Sequence, residues 1–230
     1  MLFKTLDPKD YAAGASRRPG LGDLWSARPI SRSFGFDRGA PVDRHFVDRF
    51  LTTYVSDVFG RTLEIGDDSY TARYGGTRTT HRDILHVDAS NPRATIVGDL
   101  AGAAELPADA FHCAVITQTL HLIQDVRSAL VTLHRSLRPG GVLLATVPGV
   151  SQISQDEWAA TWYWGFTARS LRRLAESVFG ADAVVVEPFG SPAATVAFLH
   201  GVAAEEVPPA VLAVQDPARP TLLGLRAVRT

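Results

Sequence analysis

The chain has 230 residues, 46% of them hydrophobic, and a formal net charge of −1. That length fits one domain, or one domain with an arm, and near-neutral charge without a basic stripe argues against a nucleic-acid partner. A single cysteine, Cys113, excludes an intrachain disulfide and a cysteine-cluster metal site, as expected of a protein in a reducing cytosol.

No apolar run approaches the roughly 18 residues of a membrane span, and the opening MLFKTLDPKDY has no signal-peptide core. Residues 1–40 are rich in Gly, Pro, Arg and Ser and read as an arm, leaving 41–230 as the folded domain. Pro41-Val42-Asp43 opens a helix with Asp43 as its expected N-cap. Phe46, Phe50, Tyr54 and Val58 form one apolar rail, and Val47, Leu51, Val55 and Phe59 the next, before Gly60 stops the helix.

Thr62–Ile65 is a short strand broken by Gly66, and Asp83–Val87 is a second strand ending in Asp88. In an α/β sheet, a Gly after the first strand exposes backbone N–H groups at the carboxyl edge. An acid about twenty residues on, closing the second strand, is placed to grip a ribose diol. Ala94–Val97 is a third strand leading to Gly98-Asp99, and 100–110 is loop or a brief helix. Phe111–Thr117 is a continuous apolar run typical of a strand covered on both faces. Asp125 caps a helix carrying Val126, Leu130, Leu133 and Leu137, which Arg138-Pro139-Gly140-Gly141 ends before the buried strand Val142–Val147.

A polar loop then leads to Trp158, Trp162, Tyr163, Trp164 and Phe166, either a substrate lid or a plug holding the loop down. Thr167 caps a helix with Leu171, Leu174 and Val178 inward, Val184–Val186 is a strand, and Ser191-Pro192 starts another helix. Residues 193–204 are apolar on nearly all sides, hence buried or an interface, so a homodimer stays open. Residues 205–220 read as loop and Leu222–Val228 as the last strand. Alternating strand and helix is the pattern of a parallel, doubly wound sheet.

Glu64-Ile65-Gly66, Asp88, Gly98-Asp99, Leu106-Pro107, Gln118 to His121 and Leu137-Arg138-Pro139-Gly140-Gly141 fall in an order that resembles class I S-adenosylmethionine-dependent methyltransferases. The closest branch resembles the type-11 group, including bacterial members associated with glycosyltransferases and natural-product biosynthesis. The likeness implies an α/β, Rossmann-like fold with a seven-stranded sheet whose last strand is antiparallel. It also implies S-adenosylmethionine as cofactor, leaving as S-adenosylhomocysteine, and a cytoplasmic enzyme methylating an oxygen or nitrogen of a secondary metabolite or sugar. The sequence departs from the family where Asp67, Asp68, Ser69 and Tyr70 stand in place of alternating glycines; side chains there limit how closely backbone approaches a ligand.

The resemblance puts Glu64 and Gly66 under the methionine and ribose, Asp88 on the ribose hydroxyls, and Asp99 with Leu100 beside adenine. Thr117 and Gln118 line the cofactor, and Asp67 or Asp68 meets its amino group or only shapes the turn. Competing readings make Asp88 a helix cap and Asp99 a solvated turn residue. His121 is the first candidate general base, because imidazole titrates near neutral pH, with a structural or cofactor-lining role as its competing reading; His45, at the start of the first helix, is the second candidate. Arg32, Arg38 and Arg44 could meet an anionic substrate or simply be solvated. The seven histidines show no metal-ligand spacing. Two other functions fit: non-methylating chemistry on the same fold, or a silent partner subunit.

Overall fold

The computed structural model describes Gly22, residues 26–102 and residues 106–230. Most of the expected arm, residues 1–21 and 23–25, and residues 103–105 of the 100–110 segment lie outside the described residues. Seven strands form one sheet: β1 Gly60–Ile65, β2 Thr79–His86, β3 Ile96–Val97, β4 Phe111–Thr117, β5 Leu137–Pro148, β6 Val184–Phe189 and β7 Leu222–Val228. Their spatial order is β3-β2-β1-β4-β5-β7-β6. The first five run parallel, and β7 is antiparallel to both neighbours, as the resemblance implies.

Strict side-chain alternation sorts the two faces of the central strands. Ala114, Ile116, Leu143, Ala145, Leu223 and Leu225 meet helices α2 (Val126–Ser136) and α3 (Ala168–Phe179) in one core. Cys113, Val115, Val142, Leu144 and Leu222 turn to the other face, covered by α1 (Val42–Thr53), α4 (Pro192–Leu199) and α5 (Pro209–Leu212). Asp125 and Thr167 cap α2 and α3 as their sequences predict, each accepting from a backbone N–H three residues on. Ala194, Ala197 and Phe198 of the apolar 193–204 segment are buried against α1 residues within the chain.

Four expectations change. The helix α2 ends at Ser136, and Leu137, expected on it, begins β5, which also takes in residues 138–141, expected as a turn. Pro41, not Asp43, is the N-cap of α1, and the Asp43 side chain pairs with Arg44 instead of a helix N–H. The helix also ends at Thr53, short of Gly60, because the chain tightens into a 3₁₀ turn, Val55–Asp57, whose Asp57 pairs with Arg226 of β7 at 2.7 Å. Phe59 is left 43% exposed. The stretch read as loop after 204 contains α5, which Pro208-Pro209 starts without a donor N–H to waste.

Residues 26–40 pack on the body of the domain. Ile30 and Ser31 donate to the His200 carbonyl at 2.8 and 3.0 Å, and Ala204 donates to the Ala40 carbonyl at 2.7 Å. The Arg38 guanidinium pairs with Glu206. Thus the segment before α1 is fastened to the turn after α4 and is held across the carboxyl edge of the sheet.

Candidate active site

The ends of the five parallel strands open into one cavity of about 1060 Å³. Its floor is Ile65 at the end of β1, Leu85 to Val87 at β2, Gly98 to Ala101 after β3, Gln118 after β4 and Pro148 of β5. Its roof comes from the fastened segment and the start of α1, with Arg32, Phe34, Phe36, Asp43 and Arg44, and from Trp158, Trp162 and Tyr163. Apolar walls with a few polar groups are the usual composition of a small-molecule site, and the volume is just above the range of about 300–1,000 Å³ typical for one drug-sized ligand.

The loop after β1 is tied by its own side chains. Glu64, 2% exposed, accepts from the N–H groups of Thr71 and Tyr70 at 2.7 and 3.1 Å. Burial pushes its carboxyl up to about 7, against the lowering effect of those donors. Asp67 accepts from Ser69 N–H at 2.8 Å and Asp68 pairs with Arg82 at 2.9 Å and with Arg93. Of the side chains that replace the family's glycines, Asp67 and Ser69 are exposed, Asp68 is held by the two arginines, and Tyr70 packs against the α1 side of the core and stacks on Tyr74. Gly66 keeps a φ of +78°, and a Cβ there would meet no atom within 4 Å, so the backbone stays open at the strand end.

Of the residues predicted from sequence, Asp99, Leu100, Gln118 and His121 line the cavity. Leu100 is buried, while Asp99 is exposed and accepts from Ala101 N–H at 2.9 Å. Gln118 adopts a left-handed φ of +47°, its N–H donating to the Thr146 carbonyl at 2.8 Å, and its buried Nε2 has no hydrogen-bond partner. His121 is 2% exposed with Nδ1 also unpartnered, and its ring stands edge-on to Trp162 at 4.4 Å. Burial, helped by the nearby Arg44 charge, pushes its imidazole down to about 4. It is therefore neutral at pH 7 and does not titrate near neutrality.

Glu64, Gly66, Asp67, Asp88, Thr117 and His45 are not among the residues lining the cavity. Asp88 is turned outward, accepting from Ser90 N–H at 2.9 Å and meeting His86 Nδ1 at 3.2 Å. Its hydrogen bonds with Ser90 hold its carboxyl below the usual carboxylate range. Thr117 pairs with Thr146 across β4 and β5 and supplies a carbonyl to Thr119 at 2.9 Å. The His45 ring lies edge-on to Phe46 at 5.3 Å.

Sequence reasoning missed Asp43 as a site residue. It is 8% exposed, its Oδ1 has no partner, and burial pushes its carboxyl up against the opposing charge of Arg44. The signal was an acid beside an arginine at a helix start, which reads equally as a cap. Phe34 was also missed; its ring stacks on Trp162 at 6.2 Å with a 10° interplanar angle. The tryptophan cluster divides its labour: Trp158, Trp162 and Tyr163 border the cavity, Phe166 is in the core, and Trp164 Nε1 donates to the Ile123 carbonyl at 2.9 Å. Arg32 and Arg44 border the cavity and Arg38 does not. Among the described residues no cluster of His, Cys, Asp and Glu could hold a metal, and no helix is long and apolar enough to cross a membrane.

A family model described as a methyltransferase domain matches residues 32–185. The chain belongs to that methyltransferase family. It is an S-adenosylmethionine-dependent methyltransferase, and its cofactor is S-adenosylmethionine. The match starts at Arg32, so residues 32–40 of the fastened segment lie within the matched region. Among solved structures, the [4+2]-cyclase SpnF is 18% identical over 84% of this chain and 83% of that one, with a TM-score of 0.53. An S-adenosylmethionine-dependent methyltransferase from Mesorhizobium loti is 19% identical over 78% and 98%, with a TM-score of 0.52. One from Archaeoglobus fulgidus is 11% identical over 80% and 94%, also at 0.52. At these identities they show a shared fold. No curated protein matches the chain.

The residues present fit the cofactor on two counts. Leu100 offers an apolar wall for a base, and the orphaned Gln118 amide is a buried donor in want of an acceptor. When bound, the cofactor supplies an electrophilic methyl group. The protein's own part is to orient the nucleophile and exclude water; the Phe34–Trp162 stack and Trp158 border the cavity where that would occur.

Proposed function

We propose that this enzyme methylates an oxygen or nitrogen of a small molecule, a secondary metabolite or a sugar, in the cytoplasm. The observation that carries the reading is the cavity itself: one continuous space over five parallel strand ends, large enough for cofactor and acceptor together, with three unpartnered buried polar atoms in its wall. Gln118 and Leu100 serve the cofactor. His121 serves the acceptor: a neutral imidazole accepts a hydrogen bond from a hydroxyl or amine and points that group's lone pair at the methyl group. With its basicity depressed, it orients the nucleophile better than it removes a proton. Phe36, Trp158 and Tyr163, each exposed, give the mouth an aromatic rim suited to a partly apolar acceptor.

The test is mass spectrometry of purified enzyme incubated with S-adenosylmethionine and a panel of glycosides, phenols and amines. The expected result is S-adenosylhomocysteine in one-to-one yield with a product heavier by one CH2, a methyl group having replaced a proton that is released. An acceptor rearranged at unchanged mass, with the cofactor intact, would overturn methyl transfer in favour of the cyclase-type chemistry that this fold also hosts.

A further inference from the structure

The first turn of α1 puts two opposite charges side by side in the cavity wall. Asp43 accepts from Arg44 Nη1 through Oδ2 at 2.9 Å, and its buried Oδ1 is left without a partner. Arg44 spends that one donor on Asp43 and lays its guanidinium over the Phe36 ring at 5.7 Å, leaving further N–H donors at the cavity. A carboxylate oxygen buried beside an arginine is costly unless a donor reaches it.

The other acids around the cavity and the β1 loop already have work. Asp99 accepts from Ala101, Asp125 from Ser128 and Asp156 from Trp158, while Asp67, Asp68 and Glu64 tie their own loop. Among the described cavity-lining acids, Asp43 is the one with a buried, unpartnered oxygen. The pair shares the cavity wall with Ile65, the last residue of β1.

A carboxylate and a guanidinium held together complement a ligand group that carries an ammonium and a carboxylate on one carbon. We infer that Asp43 and Arg44 hold the amino-acid head of the cofactor, Asp43 Oδ1 receiving its ammonium and Arg44 its carboxylate. The assignment rests on the cofactor reading of the cavity. It moves the head group from the loop after β1, where side chains have replaced glycines, to the start of α1.

Calorimetric titration with S-adenosylhomocysteine and with 5′-methylthioadenosine, which keeps the nucleoside and thioether and lacks the head, tests this. The wild-type chain is expected to prefer S-adenosylhomocysteine. Asp43→Asn and Arg44→Met should each weaken S-adenosylhomocysteine by about 10- to 100-fold while methylthioadenosine stays within about twofold. The unchanged nucleoside affinity shows that each variant keeps the folded site. Retained S-adenosylhomocysteine affinity in both variants would overturn the assignment alone, as would equal losses for the two ligands. A wild-type chain that binds neither ligand would overturn the cofactor reading and this assignment together.

Discussion

Three cavity-lining residues, Asp43, Gln118 and His121, stand out for buried polar atoms without partners among the described residues. Gln118 has a left-handed backbone whose N–H donates to Thr146, and its side-chain amide finds no acceptor among the described residues. Gln118→Ala is therefore expected to lower S-adenosylhomocysteine affinity by about 3- to 30-fold with an unchanged melting temperature, as the loss of one buried hydrogen bond implies; unchanged affinity in the same titration would remove Gln118 from the cofactor. Glu64 carries a different consequence. Its carboxyl rises to about 7 in the folded chain from an ordinary 4.5, so between those values the native state holds the proton that the unfolded state has lost. Stability from this group is thus full below about pH 4.5 and is lost as pH rises through about 7. Urea unfolding at pH 5 and pH 8 should show the wild type losing on the order of 3 kcal/mol relative to Glu64→Gln across that interval; parallel behaviour of the two proteins would contradict it. Little of this was legible in the sequence. Glu64, Asp88 and Asp43 are all acids at element ends, and nothing local says which carboxylate meets backbone, solvent or the cavity.

Elements were more legible, because periodicity records which face is covered. The runs at β4 and β5 read correctly as doubly covered strands, and the Asp125 and Thr167 caps sit where the hydrophobic rows begin. The end of α1 was misread because its apolar rails continue to Phe59. Tertiary partners decided otherwise: Tyr54 donates to Glu187 at 2.5 Å and Asp57 pairs with Arg226, pulling the last turn toward β6 and β7. The link from β1 to β2 was read only as a polar turn after Gly66, and it holds a single π-helical turn, Thr71–Gly75, followed by the 3₁₀ turn Gly76–Arg78. Glu64 gathering the Tyr70 and Thr71 N–H groups starts that turn in place of a longer helix. Packing of α1 on the sheet is close enough to test with one atom. The Phe50 ring lies over Gly224 of β7, and an added Cβ would sit 2.4 Å from Phe50 Cδ2. Gly224→Ala should cost about 1–3 kcal/mol in chemical denaturation through overpacking, and a neutral result would mean that α1 shifts freely on the sheet.

At the scale of the molecule, strand order and helix placement leave the carboxyl ends of β1 to β5 uncovered, and the segment before α1 closes over them through its bonds to the turn after α4. The class of fold could be read from strand and helix alternation, but that closure could not. Residues 26–40 have no periodicity, and their anchors, His200, Ala204, Glu205 and Glu206, lie more than 160 positions away in the chain. A ligand enclosed between sheet and segment should stabilise both. At about 100 times its dissociation constant, S-adenosylhomocysteine is expected to add about 2.7 kcal/mol and raise the melting temperature by roughly 5–10 °C. Replacing Arg38, which pairs with Glu206, by Ala should shrink that rise by loosening the roof.

The most direct measurement is a crystal structure of the complex with S-adenosylhomocysteine. The expected density places the adenosine along Val87, Leu100 and Gln118 and the sulfur facing His121, beneath Phe34 and Trp162. Density at another surface, with this cavity holding only solvent, would contradict the account.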